Sequence, residues 1–339
     1  RKEANEMPRY KVEPKEEQKK KRGNMVLRMV FLIALIVFLV SGGMLLNELV
    51  IQPWRANQKL NDYRNLKPNT SANLHTASSG SSSAASEPGS SSDGPAQMLE
   101  SFRALYERNK DIAGWLTIPG TNLDHPVFYT PDDQNYYLKR DADGADDKYG
   151  SLFLSAGSTL EPQAQVMVMY GHNMEQDDLM FGQLNKFKKL NFLQQHPTFT
   201  FNTIYRTGEW KIIAVCRAST GELGKFAYNT TEYGSADAFD AFIRQARERS
   251  MYRIADDVAF GDSMLVLSTC DYLFYGDRLV VVARKLRPGE SAETIDTSVY
   301  EENDMMLWPD VYYSLSYATR TKPSDEAIAQ AYLKYYGQP

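Results

Sequence analysis

Cysteine and histidine are scarce in this sequence, which has two cysteines and four histidines among its 339 residues. So few thiols exclude a disulfide-rich scaffold, and so few ligands of the right type disfavour a zinc cluster. The sequence also lacks the CxxC, HExxH, GxGxxG and P-loop patterns. We therefore expect neither a bound metal nor a cofactor, and any chemistry must come from the side chains themselves.

A strong excess of charge is also missing, since 38 basic residues face 43 acidic ones and the net charge is −5. That balance gives no reason to expect nucleic acid as a partner. Hydrophobic residues make up 42% of the chain and charged residues 24%, which is typical of a globular protein. The length allows one or two domains with a sizeable core.

One long uncharged stretch is present, MVFLIALIVFLVSGGMLL at Met29–Leu46. Its 18 residues can span a bilayer as a helix. The basic run KKKR at Lys19–Arg22 precedes it, which predicts a cytoplasmic N-terminus and an extracellular remainder. A cleaved signal peptide would usually have a shorter apolar region. We therefore expect a basic cytoplasmic segment over 1–24 and an uncleaved transmembrane anchor over 25–47.

The chain then becomes polar. The stretch TASSGSSSAASEPGSSSDGP at Thr76–Pro95 has no apolar anchor, so residues 48–97 are predicted to be a flexible extracellular tether. Apolar residues at helical spacing from Met98 predict a short helix at the start of a folded domain over 98–286. The remaining extension, 287–339, carries the signals of a terminal helix, with Ser324 as its cap and Gly337 as its stop, but no role can be assigned to it.

Short apolar runs separated by turn signals fill the predicted domain. The strand candidates are Ser151–Leu154, Gln165–Tyr170, Thr198–Ile204, Trp210–Arg217, Met264–Thr269 and Leu279–Lys285. Many short strands of this kind predict a closed or sandwiched β domain. One amphipathic helix interrupts them at Ser235–Ser250, with Ser235 as its N-cap.

Cys270 ends the apolar run MLVLSTC, and Arg278 precedes the next run, LVVVAR. A tight connection at Gly276-Asp277 would bring Arg278 back beside Cys270. A guanidinium near a thiol favours the thiolate, and it can also bind a carbonyl oxygen that is gaining negative charge. This pair is therefore a candidate nucleophile with its electrostatic partner.

The other cysteine fits a structural role. In WKIIAVCRA, strand alternation predicts that Trp210, Ile212, Ala214 and Cys216 share one face in the core. A disulfide between Cys216 and Cys270 is an open alternative outside the cell, although it would leave the arginine without a purpose.

His172 is the histidine best placed to exchange protons with a thiol. His75 lies in the predicted tether, and His125 and His196 each precede a proline in a connection. His172 follows the apolar run QVMVMY in YGHN, so that it ends a strand as Cys270 does. On spacing alone, a buried and unreactive cysteine remains the more common alternative.

At these residues the chain resembles the sortases, the membrane-anchored cysteine transpeptidases of Gram-positive bacteria. The segments DIAGWLTIPGTNLDHPVFYTPDDQNYYLKRD, GSLFL, YGHNM, MFGQLNKF and LSTCDY follow in the order typical of class B. The helix ahead of the cysteine strand is also a class B feature. The resemblance covers roughly residues 98 to 286.

The resemblance implies a mainly β fold with helices. It would be a sortase-type closed β-barrel with an N-terminal helix and a helix before the catalytic strand, preceded by one transmembrane helix. Cys270 would attack the threonine carbonyl of a C-terminal sorting motif in a secreted protein and form a thioester. An amine of peptidoglycan or of a pilin subunit would then take over the acyl group. His172 would exchange the protons, and Arg278 would bind substrate and stabilise the oxyanion.

The resemblance also suggests residues of the substrate groove. Asn135 resembles a position near the class B site, and Thr269, Asp271 and Tyr272 flank the nucleophile. Ordinary strand-end and turn chemistry is an equally good interpretation of the three flanking residues. The stretch Tyr228–Ser250 is expected either to wall the groove or simply to cover the barrel.

Two other classes of function stay open at this point. A membrane-bound cysteine endopeptidase would pass the same thioester to water instead of an amine. A non-catalytic wall-binding domain would keep the scaffold without the chemistry, but such a domain has no need of Cys270, His172 and Arg278 together.

Overall fold

The computed structural model describes residues 15–69, 96–174 and 179–337. These residues fall into two compact units that divide between Asn57 and Gln58. The first part of the predicted basic segment, 1–14, and most of the predicted tether, 70–95, lie outside the described residues.

The N-terminal unit is helical. A helix spans Lys15–Leu46, a π-helical turn follows at Asn47–Ile51, and a further helix spans Gln52–Arg64, whose residues from Gln58 onward belong to the second unit. Its apolar side chains from Met25 onward are exposed in the isolated chain. The helical stretch is long and apolar enough to cross a membrane, and it is a candidate membrane anchor.

The structure differs from the prediction that the whole of 48–97 is a tether. Leu60 and Tyr63 are buried, and Tyr63 packs edge-on against Phe128 with ring centroids 6.2 Å apart. The Tyr63 hydroxyl also donates to the Ala142 carbonyl oxygen at 2.7 Å. The sequence did not predict this contact, because the helix is mostly polar and only a narrow face of it is apolar. The folded domain therefore begins well before residue 98.

The domain is built on a closed barrel, which confirms the predicted fold class. The strands are β1 Ile112–Thr117, β2 Asp124–Phe128, β3 Leu152–Leu154, β4 Val166–Tyr170, β5 Asn173–Met174, β6 Leu179–Met180, β7 Thr198–Thr203, β8 Glu209–Ser219, β9 Tyr252–Arg253, β10 Met264–Cys270, β11 Asp277–Lys285 and β12 Glu301–Glu302. The order around the barrel is β1-β2-β3-β4-β10-β11-β8-β7. The pairs β5-β6 and β9-β12 form two small separate sheets.

Helices decorate the barrel. The α-helices span Arg103–Arg108, Leu190–Gln195, Ala236–Arg249, Asp310–Tyr313 and Asp325–Tyr336. Short 3₁₀ helices span Glu100–Phe102, Tyr136–Lys139, Phe181–Lys188, Thr220–Glu222 and Ala292–Thr294. The predicted N-cap Ser235 accepts a hydrogen bond from the Ala238 amide, and Ser324 accepts one from the Ala327 amide. Both predicted helix starts are therefore confirmed.

The prediction that Trp210, Ile212, Ala214 and Cys216 share one face of β8 is wrong. Ala283 of β11 pairs with Ile212 and the next partner up the strand is Ala214, so that Ile213 is the extra residue of a β-bulge. Trp210 and Ile212 pack in the barrel interior, whereas Ala214 and Cys216 pack outside, beneath the helix Ala236–Arg249. A bulge reverses the alternation of side chains, and the sequence pattern gave no sign of it.

Candidate active site

The hairpin of β10 and β11 brings two of the predicted site residues together. Cys270 is the direct antiparallel partner of Arg278. Facing Cα atoms in such a ladder lie about 4.5–5.5 Å apart. Gly276 closes the turn with a φ of 81°, and a Cβ atom there would lie 2.5 Å from Thr220 Oγ1. Glycine is thus required for the connection that returns the arginine to the cysteine.

His172 reaches the same edge of the barrel from β4. That strand runs parallel to β10, and its last residue, Tyr170, pairs with Ser268. The Thr269 hydroxyl donates to the Gly171 carbonyl oxygen at 2.8 Å. The Asn173 amide group donates to the Cys270 carbonyl oxygen at 2.8 Å. Hydrogen bonds on both sides of His172 therefore fix its turn against β10, the strand that carries Cys270.

The His172 ring is held by a backbone carbonyl. Its Nε2 lies 2.7 Å from the Leu138 oxygen. A carbonyl oxygen only accepts, so Nε2 carries a hydrogen and Nδ1 is the acceptor of the neutral ring. Asn135 begins the turn that presents Leu138, because its carbonyl oxygen accepts the Leu138 amide at 3.0 Å. The Asn135 side chain itself is exposed.

Two tyrosines lie near the guanidinium of Arg278. Burial raises the pKa of Tyr170 to about 12 and raises the pKa of Tyr228 as well, while the positive charge of Arg278 opposes both shifts. The Ser268 hydroxyl donates to the Tyr228 hydroxyl at 3.4 Å. Both phenols are therefore neutral at pH 7, and they present hydroxyl groups beside the arginine.

The two thiols differ in their surroundings, and both are free. Cys270 is partly exposed, whereas Cys216 is fully buried and donates to the Ala246 carbonyl oxygen at 3.1 Å. Burial raises the pKa of Cys216 to about 12. The thiolate form of Cys216 is thus inaccessible at neutral pH, which leaves Cys270 as the candidate nucleophile.

The four residues predicted to line the groove occupy different environments. Thr269 and Asp271 are buried, whereas Asn135 and Tyr272 are exposed. The Tyr272 hydroxyl donates to the Asn173 carbonyl oxygen at 3.1 Å. Their roles towards substrate stay predictions.

Sequence reasoning missed an ion cluster beneath the hairpin of β10 and β11. Arg217 of β8 places Nη1 2.5 Å from Asp277 Oδ2 and 2.7 Å from Asp271 Oδ2. Lys188 binds the other oxygen of Asp271. No sequence motif indicates such a cluster, because Lys188, Arg217 and the hairpin that carries the two acids are far apart in the sequence and meet only in the fold. Sequence reasoning also overlooked Asn173, although its place beside His172 in YGHN was a usable signal.

One carboxyl of this cluster titrates abnormally. Burial raises the pKa of Asp277 to about 7, and the neighbouring Asp271 carboxylate adds to the rise, since the one guanidinium of Arg217 serves both acids. The folded protein therefore holds a proton on Asp277 at pH values where the unfolded chain has lost it. This contribution to stability is full below about pH 4 and is lost as the pH rises through about 7.

Replacing Asp277 with asparagine should remove the loss of stability that accompanies the rise in pH, because the asparagine amide does not ionise. Relative to the variant, we expect the wild-type free energy of unfolding to fall by on the order of 2 kcal/mol between pH 5 and pH 8. Urea denaturation at both pH values measures the difference. Asp240→Asn, which removes an exposed carboxylate of the helix Ala236–Arg249, is the control. Parallel curves for wild type and Asp277→Asn would contradict the prediction.

Among the residues that the structure describes, no group of three His, Cys, Asp or Glu side chains is arranged to hold a metal ion.

Comparison with known proteins relates the barrel to one family. A model of the Sortase domain matches residues 116–286. The curated Sortase B of Listeria monocytogenes is 33% identical over 175 residues, which cover 52% of this chain and 69% of that protein. The curated Sortase B of Staphylococcus aureus is 27% identical over 188 residues, which cover 55% of this chain and 75% of that protein.

Solved structures agree. Sortase B from B. anthracis in complex with AAEK2 aligns with a TM-score of 0.51 and 30% identity, over 56% of this chain and 85% of that chain. A complex of S. aureus sortase B with substrate aligns with a TM-score of 0.52 and 26% identity, over 57% of this chain and 87% of that chain.

Proposed function

This chain belongs to the sortase family, and we propose that Cys270, His172 and Arg278 perform the transpeptidation of a class B enzyme. The observation that carries the proposal is the pairing of Cys270 with Arg278 across one hairpin, beside the parallel strand that leads to His172. A thiolate, an imidazole and a guanidinium suffice for acyl transfer without a cofactor.

In the first half-reaction, the Cys270 thiolate attacks the carbonyl carbon of the threonine in the sorting motif. The developing oxyanion is stabilised by the Arg278 guanidinium. The protonated His172 gives its Nδ1 proton to the leaving amine as the C–N bond breaks. A thioester between the threonine and Cys270 results, and the C-terminal peptide departs.

In the second half-reaction, an incoming amine attacks the thioester. Neutral His172 accepts a proton from that amine at Nδ1, while Nε2 stays bound to the Leu138 carbonyl oxygen. The C–S bond breaks, the Cys270 thiolate is restored and a new amide joins the two proteins or the protein and the wall. The enzyme ends in the protonation state from which it started.

The partners follow from the same chemistry. We assign the acyl donor to secreted proteins with a C-terminal sorting motif, in keeping with the substrate complex of the S. aureus relative. The acceptor is an amine of peptidoglycan or of a pilin subunit. The apolar N-terminal helix anchors the enzyme in the cell membrane, and the basic run at Lys19–Arg22 sets its N-terminus in the cytoplasm and the barrel outside.

A product analysis separates transpeptidation from the endopeptidase alternative. The full chain in detergent micelles is incubated with peptides bearing Asn-Pro-x-Thr, Leu-Pro-x-Thr or proline-rich motifs, with and without a small primary amine. We expect a ligated product that dominates over the hydrolysed one when the amine is present at millimolar concentration, because an amine is the stronger nucleophile towards a thioester.

Mass spectrometry of the products identifies both the motif and the acceptor. Cys270→Ala serves as the control for uncatalysed cleavage. A hydrolysed product alone, unchanged by any amine, would contradict transpeptidation and favour the endopeptidase.

A further inference from the structure

The C-terminal extension begins where the family match ends, at residue 286. Within the described residues, 287–337, it carries a 3₁₀ helix, strand β12 and two α-helices, and part of it contacts the end of the barrel where the hairpin of β10 and β11 lies. Among its contacts, one covers Arg217 and another reaches the loop of residues 271–277, which joins Cys270 to Arg278. We call this segment the catalytic loop.

The catalytic loop is held at both ends by Arg217. The acids at its two ends, Asp271 and Asp277, are 7% and 2% exposed. One nitrogen of the guanidinium, Nη1, lies within ion-pair distance of both. The first acid follows Cys270 directly and the second directly precedes Arg278, so Arg217 fixes the backbone on which both catalytic side chains stand.

The extension covers Arg217 with an aromatic ring. The guanidinium carbon lies 4.8 Å from the ring centroid of Trp308. That ring stacks in turn on Tyr312, with centroids 4.2 Å apart. The Trp308 indole N–H is buried and meets no acceptor among the described residues, so the ring contributes through its faces. Trp308 thus keeps water from the guanidinium that binds both Asp271 and Asp277.

A second contact reaches the loop itself. The Tyr317 hydroxyl donates to the Leu273 carbonyl oxygen at 2.8 Å.

The intervening segment is anchored beside the end of β8. Glu222 accepts the backbone amides of Asp310 and Val311, both at 2.9 Å. The Asp310 carboxylate binds Lys225 at 2.5 Å and Lys322 at 2.7 Å. Trp308 and Tyr317 therefore belong to one docked segment, and their two contacts on the hairpin are maintained together.

We propose that Trp308 and Tyr317 are positioning residues that hold the catalytic loop, and with it Cys270 and Arg278, in the arrangement that acyl transfer requires. The inference rests on the proposed function, because it assigns those two residues to catalysis. Removing the Trp308 ring admits water to Arg217, and water screens its attraction for the two acids. The loop then gains freedom, and a misplacement of about 1 Å at a reacting group costs up to about 100-fold in rate.

The test compares Trp308→Ala with Tyr335→Ala in the full chain in detergent micelles. Tyr335 lies in the terminal helix and covers Arg253 at 3.9 Å, a contact of the same type in the same extension but with a different partner. We expect Trp308→Ala to lower kcat about 10- to 100-fold with KM within about threefold, and Tyr335→Ala to leave both near wild type. Trp308→Phe, which keeps an aromatic face, should restore most of kcat.

Hydrogen exchange gives a readout that does not depend on catalysis. In Trp308→Ala, amides of residues 271–277 should exchange at least about tenfold faster than in wild type, with no such change in Tyr335→Ala. Tyr317→Phe, which removes only a hydroxyl, should raise exchange at the same amides. Unchanged exchange in both variants would overturn the proposal, as would a kcat for Trp308→Ala equal to that of Tyr335→Ala.

The two proposals fail in different ways. If wild type forms no acyl-enzyme while the loop still loosens in Trp308→Ala, the proposed function fails and the positioning of the loop stands. If wild type is active and the loop is unaffected, only the positioning role is wrong.

Discussion

Replacing Cys270 with alanine is expected to lower kcat for transpeptidation by more than about 10⁴-fold and to abolish the covalent intermediate. The reason is that the other thiol of the protein cannot replace Cys270 as the nucleophile. The other thiol, Cys216, lies under the helix Ala236–Arg249, and its pKa of about 12 keeps it protonated. Cys270 is partly exposed at a strand end, so alanine there should leave the barrel folded.

Intact-mass spectrometry of the full chain with sorting-motif peptides measures this directly. Wild type should gain the mass of the acyl fragment, and Cys270→Ala should not. Cys216→Ala is the matched control, since it removes the other thiol, and it should still form the adduct. An adduct on Cys270→Ala, or its loss in a folded Cys216→Ala, would show that the nucleophile has been misassigned.

Replacing His172 with alanine should lower kcat by about 10²- to 10⁴-fold, the usual range for loss of a general acid and base. The ring is oriented by the Leu138 carbonyl oxygen at Nε2, which leaves Nδ1 for proton exchange. The alanine variant keeps the turn, because Thr269 and Asn173 tie the residues on either side of it to β10. Added imidazole should therefore enter the vacated space and recover part of the rate.

His196→Ala is the control, since His196 packs on Phe192 with ring centroids 4.6 Å apart and belongs to a different connection. It should keep kcat within about threefold and show no response to imidazole. Steady-state rates across an imidazole titration give the comparison. If His172→Ala retained more than about a third of the wild-type rate, His172 would not be the proton carrier.

The barrel was predictable because its signals are local. Each strand is a short apolar run between turns, and β10 and β11 have the pattern of a hairpin. The two catalytic candidates of that hairpin, Cys270 and Arg278, needed only a tight turn to become neighbours, and the sequence shows one at Gly276. Ser235 and Ser324 marked helix starts by the same local logic.

What the sequence could not predict depends on contacts between distant segments. The bulge at Ile213 follows from how β8 and β11 fit together, and no residue type announces it. Leu60 and Tyr63 are the two buried residues of a largely polar helix, and a pair alone is too short to give a periodic signal of the packing of Tyr63 against Phe128. In the sequence, Arg217 has the features of an ordinary strand residue. Only the pairing of the strands in the folded barrel places it between Asp271 and Asp277.

The order of strands in the barrel has a consequence for how the enzyme comes into being. β10 and β11 are the last barrel strands to be synthesised, yet they lie between β4 and β8. While the chain is still incomplete, β4 and β8 are open edges, and the turn at His172 lacks the strand that fixes it. The hairpin of β10 and β11 closes the barrel, and it also carries Cys270. An incomplete chain therefore lacks the arrangement of Cys270, His172 and Arg278 that we propose for acyl transfer, and this arrangement forms only when the barrel closes.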